Sequence, residues 1–198
     1  MNIEKTLSVQ KREGCGKGPS GRLRAEKLIP GVFYTASGEN ISVQAPVLPL
    51  EKIYGEMGHT TVFNLEIEDN GKKTLHPVLI WQVQFHPYKR AFTHIDFYGV
   101  DLDKEVTVDV PVEFVGTSRG VKLGGRLETY REMVRLCSKP LTMPQKITVD
   151  VTDMGINDTV TVSDLKLPEN VRAVFDQNYA LVSVISKSKD EEAEGEKA

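Results

Sequence analysis

Residues 61–71 read Thr-Val-Phe-Asn-Leu-Glu-Ile-Glu-Asp-Asn-Gly, and this stretch decides the kind of fold that the chain can form. Phe63, Leu65 and Ile67 alternate with polar residues, which is the period of a half-buried strand. The last three residues then supply a tight hairpin turn. The returning strand reaches Phe85 and has apolar residues on both faces near its middle. We expect at least part of it to be buried on both sides.

Further strands flank this hairpin, and alternating apolar residues predict them near residues 3–10, 32–34, 41–45 and 92–97. One short helix is expected after Ser20, which would cap it, with Leu23 and Leu28 on its apolar side. A second helix is expected to open at Pro49 and to end at Gly58. Several short strands, two small helices and no regular strand-helix alternation predict a compact β-barrel.

The second half of the chain predicts another β-rich unit. Strands are expected within residues 106–114, 126–137, 147–151, 159–162 and 179–185, with a glycine-rich loop at 116–125. The charged residues after position 185 cannot bury enough apolar surface to fold. The sequence thus predicts a mainly β protein with a small barrel at 1–98, a second all-β domain at 99–185 and a disordered charged tail at 186–198.

Composition places the chain among ordinary globular proteins, with 39% apolar and 27% charged residues. No apolar run approaches the ~20 residues that span a bilayer, and the N-terminus lacks the apolar core of a signal peptide. We therefore expect a cytoplasmic protein with no membrane partner. Cys15 and Cys137 form neither a metal-type pair nor a disulfide framework, as expected in a reducing compartment.

Positive charge is concentrated near the N-terminus. Residues 11–24 read Lys-Arg-Glu-Gly-Cys-Gly-Lys-Gly-Pro-Ser-Gly-Arg-Leu-Arg, with five basic side chains against one Glu. The four glycines let a phosphate approach the backbone amides closely. A net charge of -3 argues against a general polyanion binder, but an anionic partner should meet this end first. A solvated surface loop is the alternative interpretation.

Motifs for cofactors, metals and catalysis are weak. The glycine-rich loop spells G-x-G-x-x-G without the βαβ unit that this motif needs, and Lys17 lacks the Ser or Thr of a Walker loop after it. His94 and Asp96 share a strand face, but no second histidine follows to complete an iron triad. Neither Cys15 nor Ser20 has a defined base. We predict no metal, no cofactor, no small-molecule substrate and no catalytic residue.

The polar groups of the first domain suit a folded RNA, because cations hold phosphates while hydroxyl, imidazole and carboxylate groups contact base edges and the 2'-OH. The motifs Gly-Lys-Gly-Pro-Ser-Gly-Arg-Leu-Arg, Ile-Pro-Gly-Val-Phe-Tyr, Val-Gln-Phe-His-Pro-Tyr-Lys and His-Ile-Asp-Phe follow one another in that order. They resemble the large-subunit ribosomal protein family numbered twenty-five. Val-Pro-Val-Glu-Phe-Val-Gly, Gly-Val-Lys-Leu-Gly-Gly and Ile-Thr-Val-Asp-Val resemble its longer branch, the general stress protein CTC type.

The resemblance covers about residues 3–185 and implies a six- or seven-stranded barrel that binds 5S ribosomal RNA. The expected contact is the minor groove of the loop E region, in the central protuberance of the large subunit. The contact residues that the resemblance implies are Arg12, Lys17, Ser20, Arg22, Arg24, Tyr34, His94 and Asp96. The second domain is expected to contact 23S RNA or neighbouring ribosomal proteins.

Three positions depart from the family's pattern. Gly21 stands where a basic residue is common, Trp81 where a polar one is usual, and Phe85 where arginine often precedes His-Pro. Each change removes a possible contact, which should lower the affinity for RNA and flatten its salt dependence. On a long alternating strand we expect Trp81 in the core, with stacking on a base or ribose as the alternative.

Two other functions compete with ribosomal RNA binding. A non-ribosomal β-barrel adaptor would use the same basic loop against an acidic protein surface. A small hydrolase or transferase would use Cys15 or Ser20, and replacing either residue should then abolish turnover. Titration with 5S RNA against tRNA as competitor distinguishes the RNA-binding protein from the adaptor.

Overall fold

A computed structural model describes residues 5–35, 38–69, 71–89 and 91–186. The chain divides into two compact units, one from Met1–Val108 with Ser138–Gln145 and one from Asp109–Cys137 with Lys146–Ala198. The predicted boundary after residue 98 stays a prediction. Ile3 in the first predicted strand, Asn70 in the predicted hairpin turn and residues 187–198 of the predicted tail lie outside the described residues.

The first unit contains a closed six-stranded barrel, which confirms the prediction. Its strands are β1 (Thr6–Lys11), β2 (Leu28–Tyr34), β3 (Asn40–Pro46), β4 (Phe63–Asp69), β5 (Lys72–Phe85) and β6 (Phe92–Gly99). They follow the order β1-β3-β2-β6-β5-β4 around the barrel. β1 pairs antiparallel with β3 and parallel with β4, so that no strand of the sheet is left at an edge.

The interior of the barrel is filled by the apolar members of the alternating pattern. On β4, Phe63, Leu65 and Ile67 point inward as predicted, and the residues between them are only half-buried. The fully packed core consists of Leu7, Val9, Ile29, Phe33, Val43, Ala45, Leu50, Ile53, Phe63, Leu65, Ile67, Val78, Ile80, Ile95 and Phe97. Every barrel strand contributes to it, which makes the barrel a rigid support for what lies outside.

Both predicted helices are present, α1 (Lys17–Ala25) and α2 (Val47–Met57). The first boundary was predicted wrongly. Ser20 lies inside α1, where its amide donates to the Gly16 carbonyl over 3.2 Å, and Gly16 is the cap. Lys27, at a φ of 60°, ends the helical path, so Leu28 begins β2 instead of extending the helix.

Trp81 does not occupy the expected core position, because Val78 and Ile80 are the residues that line the core, and a bulge follows them in β5. Ile80 pairs with Phe97 and Gln82 pairs with Asp96, so Trp81 is an extra residue with no partner on β6. Its side chain is 54% exposed, and its ring lies 5.4 Å from that of Tyr98. Because the bulge shifts the alternation by one residue, the pattern before Ile80 does not continue beyond it. The middle of β5 is buried on both faces, as predicted.

The second unit is also built on strands. They are β7 (Val106–Val115), β8 (Arg126–Thr129), β9 (Met133–Ser138), β10 (Ile147–Asp150), β11 (Thr159–Thr161), β12 (Arg172–Ala173) and β13 (Ala180–Ile185). They form a four-stranded sheet, β10-β7-β9-β12, and a three-stranded sheet, β11-β13-β8. One core cluster comprises Val151, Met154, Val182 and Val184. The predicted glycine-rich loop contains one helical turn, α3 (Arg119–Lys122), so the domain is not entirely β.

Candidate nucleic-acid interface

The basic loop forms a helix that displays its cations outside the barrel. Lys17, Arg22 and Arg24 are all exposed on α1, which has no buried residue. Arg24 attaches the helix to β6, because its Nε donates a hydrogen bond of 3.1 Å to the carbonyl oxygen of Thr93. The helix therefore holds positive charge at a fixed place on the barrel wall, where an anionic ligand can reach it.

His94 and Asp96 lie on the outer face of β6. The residues next to them, Ile95 and Phe97, are buried in the core, so alternation directs the two polar side chains outward. β2 pairs with β6 at very close range on this part of the wall. A Cβ on Gly31 would stand 2.6 Å from the Ile95 carbonyl oxygen. Only glycine allows these two strands their present approach.

Two arginines act on His94 from other parts of the chain. The pKa of His94 is lowered from its ordinary value, first by burial of the ring and further by the charges of Arg12 and Arg24; the carboxylate of Asp96 opposes this shift. Arg12 follows β1, and its amide donates to the Ser42 carbonyl on β3 over 2.9 Å. The lowered pKa indicates a neutral imidazole at neutral pH.

This cluster contains buried polar atoms without partners. Among the described residues these atoms are Nε of Arg12, Nδ1 of His94 and Oδ1 of Asp96. Nδ1 of His94 lies 3.1 Å from Oδ1 of Asp96, yet the pair does not have the geometry of a hydrogen bond. Buried polar groups in proteins are nearly always paired, and leaving one unpaired is costly. A donor and an acceptor held unpaired beside two cations form a site prepared for a polar anionic ligand.

The structure thus brings four of the eight expected contact residues together: Arg12, Arg24, His94 and Asp96. Lys17, Ser20 and Arg22 lie on α1, the helix that Arg24 attaches to β6. Tyr34 lies at the end of β2, where it pairs with Tyr98 two positions beyond Asp96. Cys15 is exposed.

Four glutamines complete this face, and sequence reasoning missed them. Gln82 and Gln84 on β5 pair with Asp96 and His94 on the neighbouring strand. Gln44 on β3 donates from Nε2 to Oε1 of Gln10 on β1 over 2.9 Å. Alternation with core residues was a signal that they point outward. The position of Gln82 and Gln84 beside Asp96 and His94 depends on strand register, which the sequence does not reveal.

Gly21 and Phe85, two of the departures from the family's pattern, lie in different surroundings. A Cβ on Gly21 would meet no atom within 4 Å, so the basic side chain common at this position would fit without strain. Phe85 is 53% exposed, and its ring lies 5.0 Å from that of Phe92. The loss of a cation at Gly21 is therefore a loss of charge from α1 and not a change in packing.

No group of three or more His, Cys, Asp or Glu side chains within the described ranges is arranged to hold a metal ion. The helices of the described part of the chain are all too short or too polar to cross a membrane.

Replacing His94 by glutamine is expected to make the free energy of unfolding fall less steeply as the pH is lowered. Because folding lowers the His94 pKa, the unfolded chain takes up the proton first as the pH falls. The stability contributed by the neutral ring is complete above about pH 6.5 and declines below it. Urea titrations of both proteins between about pH 7.5 and about pH 5 measure the difference. Equal pH dependence of the two unfolding free energies would contradict the buried neutral imidazole.

Comparison with known proteins assigns a family to both parts of the chain. The model of the Ribosomal L25p family matches residues 7–97, and the model described as ribosomal protein TL5, C-terminal domain, matches residues 105–188. A large ribosomal subunit protein bL25 from a strain of Desulfovibrio desulfuricans is 88% identical over 197 residues, which is 99% of each chain.

Two further relatives carry the same name. The protein from Nitratidesulfovibrio vulgaris strain DP4 is 58% identical over 94% of this chain and 98% of its own. The protein from Lawsonia intracellularis is 54% identical over 93% of this chain and 94% of its own. These proteins are structural and not enzymes, which confirms that no catalytic activity is to be expected. The chain belongs to the Ribosomal L25p family, in the two-domain form of the CTC type.

Proposed function

We propose that this chain binds 5S ribosomal RNA through the outer face of β6 and helix α1, in the loop E region and from the minor-groove side. The chain is a structural constituent of the large ribosomal subunit and is therefore cytoplasmic. Within that subunit we place it in the central protuberance. The observation that carries the proposal is the set of unpaired buried atoms on Arg12, His94 and Asp96.

The cations of the face supply affinity. Arg12 and Arg24 flank the histidine, and Lys17 and Arg22 extend the positive charge along α1. Each of these side chains can neutralise one phosphate, and the counterions that are released favour binding. Arg24 is oriented by its bond to Thr93, so its guanidinium needs little further ordering when RNA arrives.

The neutral polar groups supply orientation. An RNA minor groove presents 2'-hydroxyls and base edges on a wide, shallow surface. The carboxylate of Asp96 can accept a hydrogen bond from a 2'-hydroxyl, which offsets its repulsion of nearby phosphates. The glutamines beside it, Gln82 and Gln84, can both donate and accept. Ser20 on α1 and Tyr34 at the end of β2 add hydroxyl groups.

An acidic protein surface fits this face less well. Arg12 and Arg24 would pair with carboxylates, but the buried oxygen of Asp96 would then face like charge with no donor. RNA supplies both the phosphates that the arginines need and the hydroxyl donors that the carboxylate needs. The face therefore favours RNA over an acidic protein.

The second domain is proposed to contact a different part of the large subunit, either 23S RNA or a neighbouring ribosomal protein. Of its described charged residues, eight are basic and ten are acidic. Several basic groups are already paired, as in the contacts of Arg135 with Asp109 at 3.1 Å and of Lys146 with Glu113 at 2.6 Å. The second domain therefore offers less unpaired positive charge to RNA than the barrel does.

The full chain is expected to bind purified 5S rRNA with a clear preference over tRNA. To displace the same fraction of labelled 5S rRNA, tRNA should be needed at a concentration at least about 100-fold higher than unlabelled 5S rRNA. A filter-binding or fluorescence titration at ~0.15 M salt measures this ratio. Equal competition by the two RNAs would contradict the proposal, and binding to an acidic protein without affinity for 5S rRNA would favour the adaptor.

A further inference from the structure

The turn between β5 and β6 presents aromatic rings to the surroundings. We call residues 85–89 together with Ala91 and Phe92 the aromatic tip. Tyr88 is 93% exposed and Phe85 is 53% exposed, far more than core aromatic residues such as Phe97. Phe85, His86, Pro87, Tyr88, Lys89, Ala91 and Phe92 line an open hollow of about 420 Å³ beside these rings. Exposed aromatic surface next to a hollow is characteristic of a binding surface.

The described residues of the tip are held by hydrogen bonds despite their exposure. Nδ1 of His86 accepts hydrogen bonds of 3.2 Å from the amides of both Tyr88 and Lys89. The backbone closes below it, where the His86 amide donates to the Ala91 carbonyl over 2.9 Å. Tyr88 is therefore held outward by its backbone, and a partner would lose little entropy in using it.

Aromatic contacts anchor the base of the tip. The rings of Phe85 and Phe92 are 5.0 Å apart, and Phe92 lies 5.3 Å from Tyr54 on α2, edge to face. Tyr54 in turn contacts His59 through its hydroxyl, at 3.1 Å. The cluster secures the turn to the end of the barrel, so Tyr88 keeps a fixed position relative to the strands.

The charge around the tip selects an anionic partner. Residues 81–95 contain two basic residues and no Asp or Glu. These two basic residues, Lys89 and Arg90, follow Tyr88 directly in the sequence. An exposed aromatic ring with cations beside it suits a nucleotide, which brings a π-face and a phosphate together.

The tip continues the face described above. Gln84, just before the tip, pairs with His94 on β6. Thr93, just after it, accepts the hydrogen bond from Arg24 that holds α1. An RNA helix bound across His94 and Arg24 would extend towards the tip on the same strands.

We propose that Tyr88 is a stacking platform for an unpaired base of the RNA that this face holds. The inference rests on the proposed binding of 5S rRNA and adds to it a second contact, made with a base that has left the helical stack. Lys89 neutralises the phosphate of that nucleotide. Stacking is tolerant of base identity, so this contact adds affinity more than sequence preference.

The test compares Tyr88→Ala and Tyr88→Phe in the full chain, titrated with 5S rRNA. Tyr88→Ala is expected to weaken binding about tenfold, while Tyr88→Phe keeps the ring and stays within about twofold of the parent. The slope of affinity against salt should stay unchanged in both variants, because no phosphate contact is lost. Lys89→Ala should instead lower that slope by about one unit.

Fluorescence supplies a direct readout of the stacked ring. Trp81 is the single tryptophan of the chain and can be removed as Trp81→Phe. In that background, the indole introduced by Tyr88→Trp should be quenched when 5S rRNA saturates the protein. Quenching together with the weakened Tyr88→Ala variant would support the inference.

The contrary outcomes are distinct from failure of the proposed function. Unchanged affinity of Tyr88→Ala with unquenched fluorescence, in a parent that binds 5S rRNA, would overturn the stacking contact alone. If Tyr88→Ala bound RNA normally but was incorporated less into large subunits, the tip would be assigned to a protein neighbour. That result would also overturn the stacking contact. If the parent did not bind 5S rRNA, both proposals would fall together.

Discussion

Replacing Arg12 and Arg24 together by alanine is expected to weaken binding of 5S rRNA about 100-fold at ~0.15 M salt. Both guanidinium groups flank His94, and the buried Nε of Arg12 has no hydrogen-bond partner in the described part of the chain. Removing them takes away two proposed phosphate contacts. The logarithmic slope of affinity against salt should therefore become shallower by about two units.

A control variant separates this local effect from a change in net charge. Lys52→Ala with Lys72→Ala also removes two positive charges, from exposed positions of the barrel unit that lie outside β6 and α1. It should keep the parent's affinity within about twofold, since distant charges act weakly through a salt solution. Urea unfolding would verify that both double variants are folded. Equal affinities of the two double variants would show that the proposed face is not the RNA contact.

Replacing Gly31 by alanine is expected to destabilise the barrel by about 3 kcal/mol, the upper end of the cost of overpacking. The new Cβ would lie 2.6 Å from the Ile95 carbonyl oxygen and 2.9 Å from Cγ2 of the same residue. Both atoms belong to a paired strand in the core, so neither can move without breaking the β2–β6 pairing. Thermal unfolding followed by circular dichroism should show a midpoint lower by about 10 °C.

Gly55→Ala is the matched control for this substitution. Gly55 lies within α2, and a Cβ there would meet no atom within 4 Å. The change should raise stability by about 0.5–1 kcal/mol, because alanine loses less backbone entropy than glycine in a helix. If Gly31→Ala were as stable as Gly55→Ala, the close approach of β2 to β6 would be wrong.

The Gly31 contact also bears on function. Val32, the next residue, pairs with Asp96 on β6, and Gly31 itself pairs with Ile95. Separating the two strands would therefore displace His94 and Asp96 on the outer face. We expect Gly31→Ala to weaken RNA binding as well, through a displaced contact surface and without loss of any charged group.

Some features of the protein follow from local sequence. The alternation of Phe63, Leu65 and Ile67 placed them correctly in the core, because a strand has only two faces and one of them must be buried. The existence of both helices also followed from local patterns. Their starts did not, because α1 begins at Lys17 and α2 begins at Val47 instead of Pro49, whereas the end of α2 before Gly58 was predicted correctly. Leu28 was assigned to a helix because its apolar side chain suits either element, and the left-handed backbone at Lys27 was not visible in the pattern.

The residues of the proposed site were likewise proposed from the sequence, because the basic glycine-rich segment and the His-Ile-Asp-Phe motif contain most of them. Their convergence was not readable from the sequence. Arg12 and His94 are more than 80 positions apart, and only the closure of the barrel brings their charges within reach of each other. The glutamines next to His94 depend on the pairing of β5 with β6, which local periodicity does not determine.

By itself the sequence determined the strand and helix content, the barrel class and the family, because these depend on residue types and on their order along the chain. Tertiary structure alone decided that Trp81 faces outward, because Val78 and Ile80 line the core, and one extra residue opposite β6 reverses the alternation beyond it. It also decided that the polar atoms of Arg12, His94 and Asp96 are buried together without partners. Burial and pairing are properties of the packed strands, and no single strand contains them.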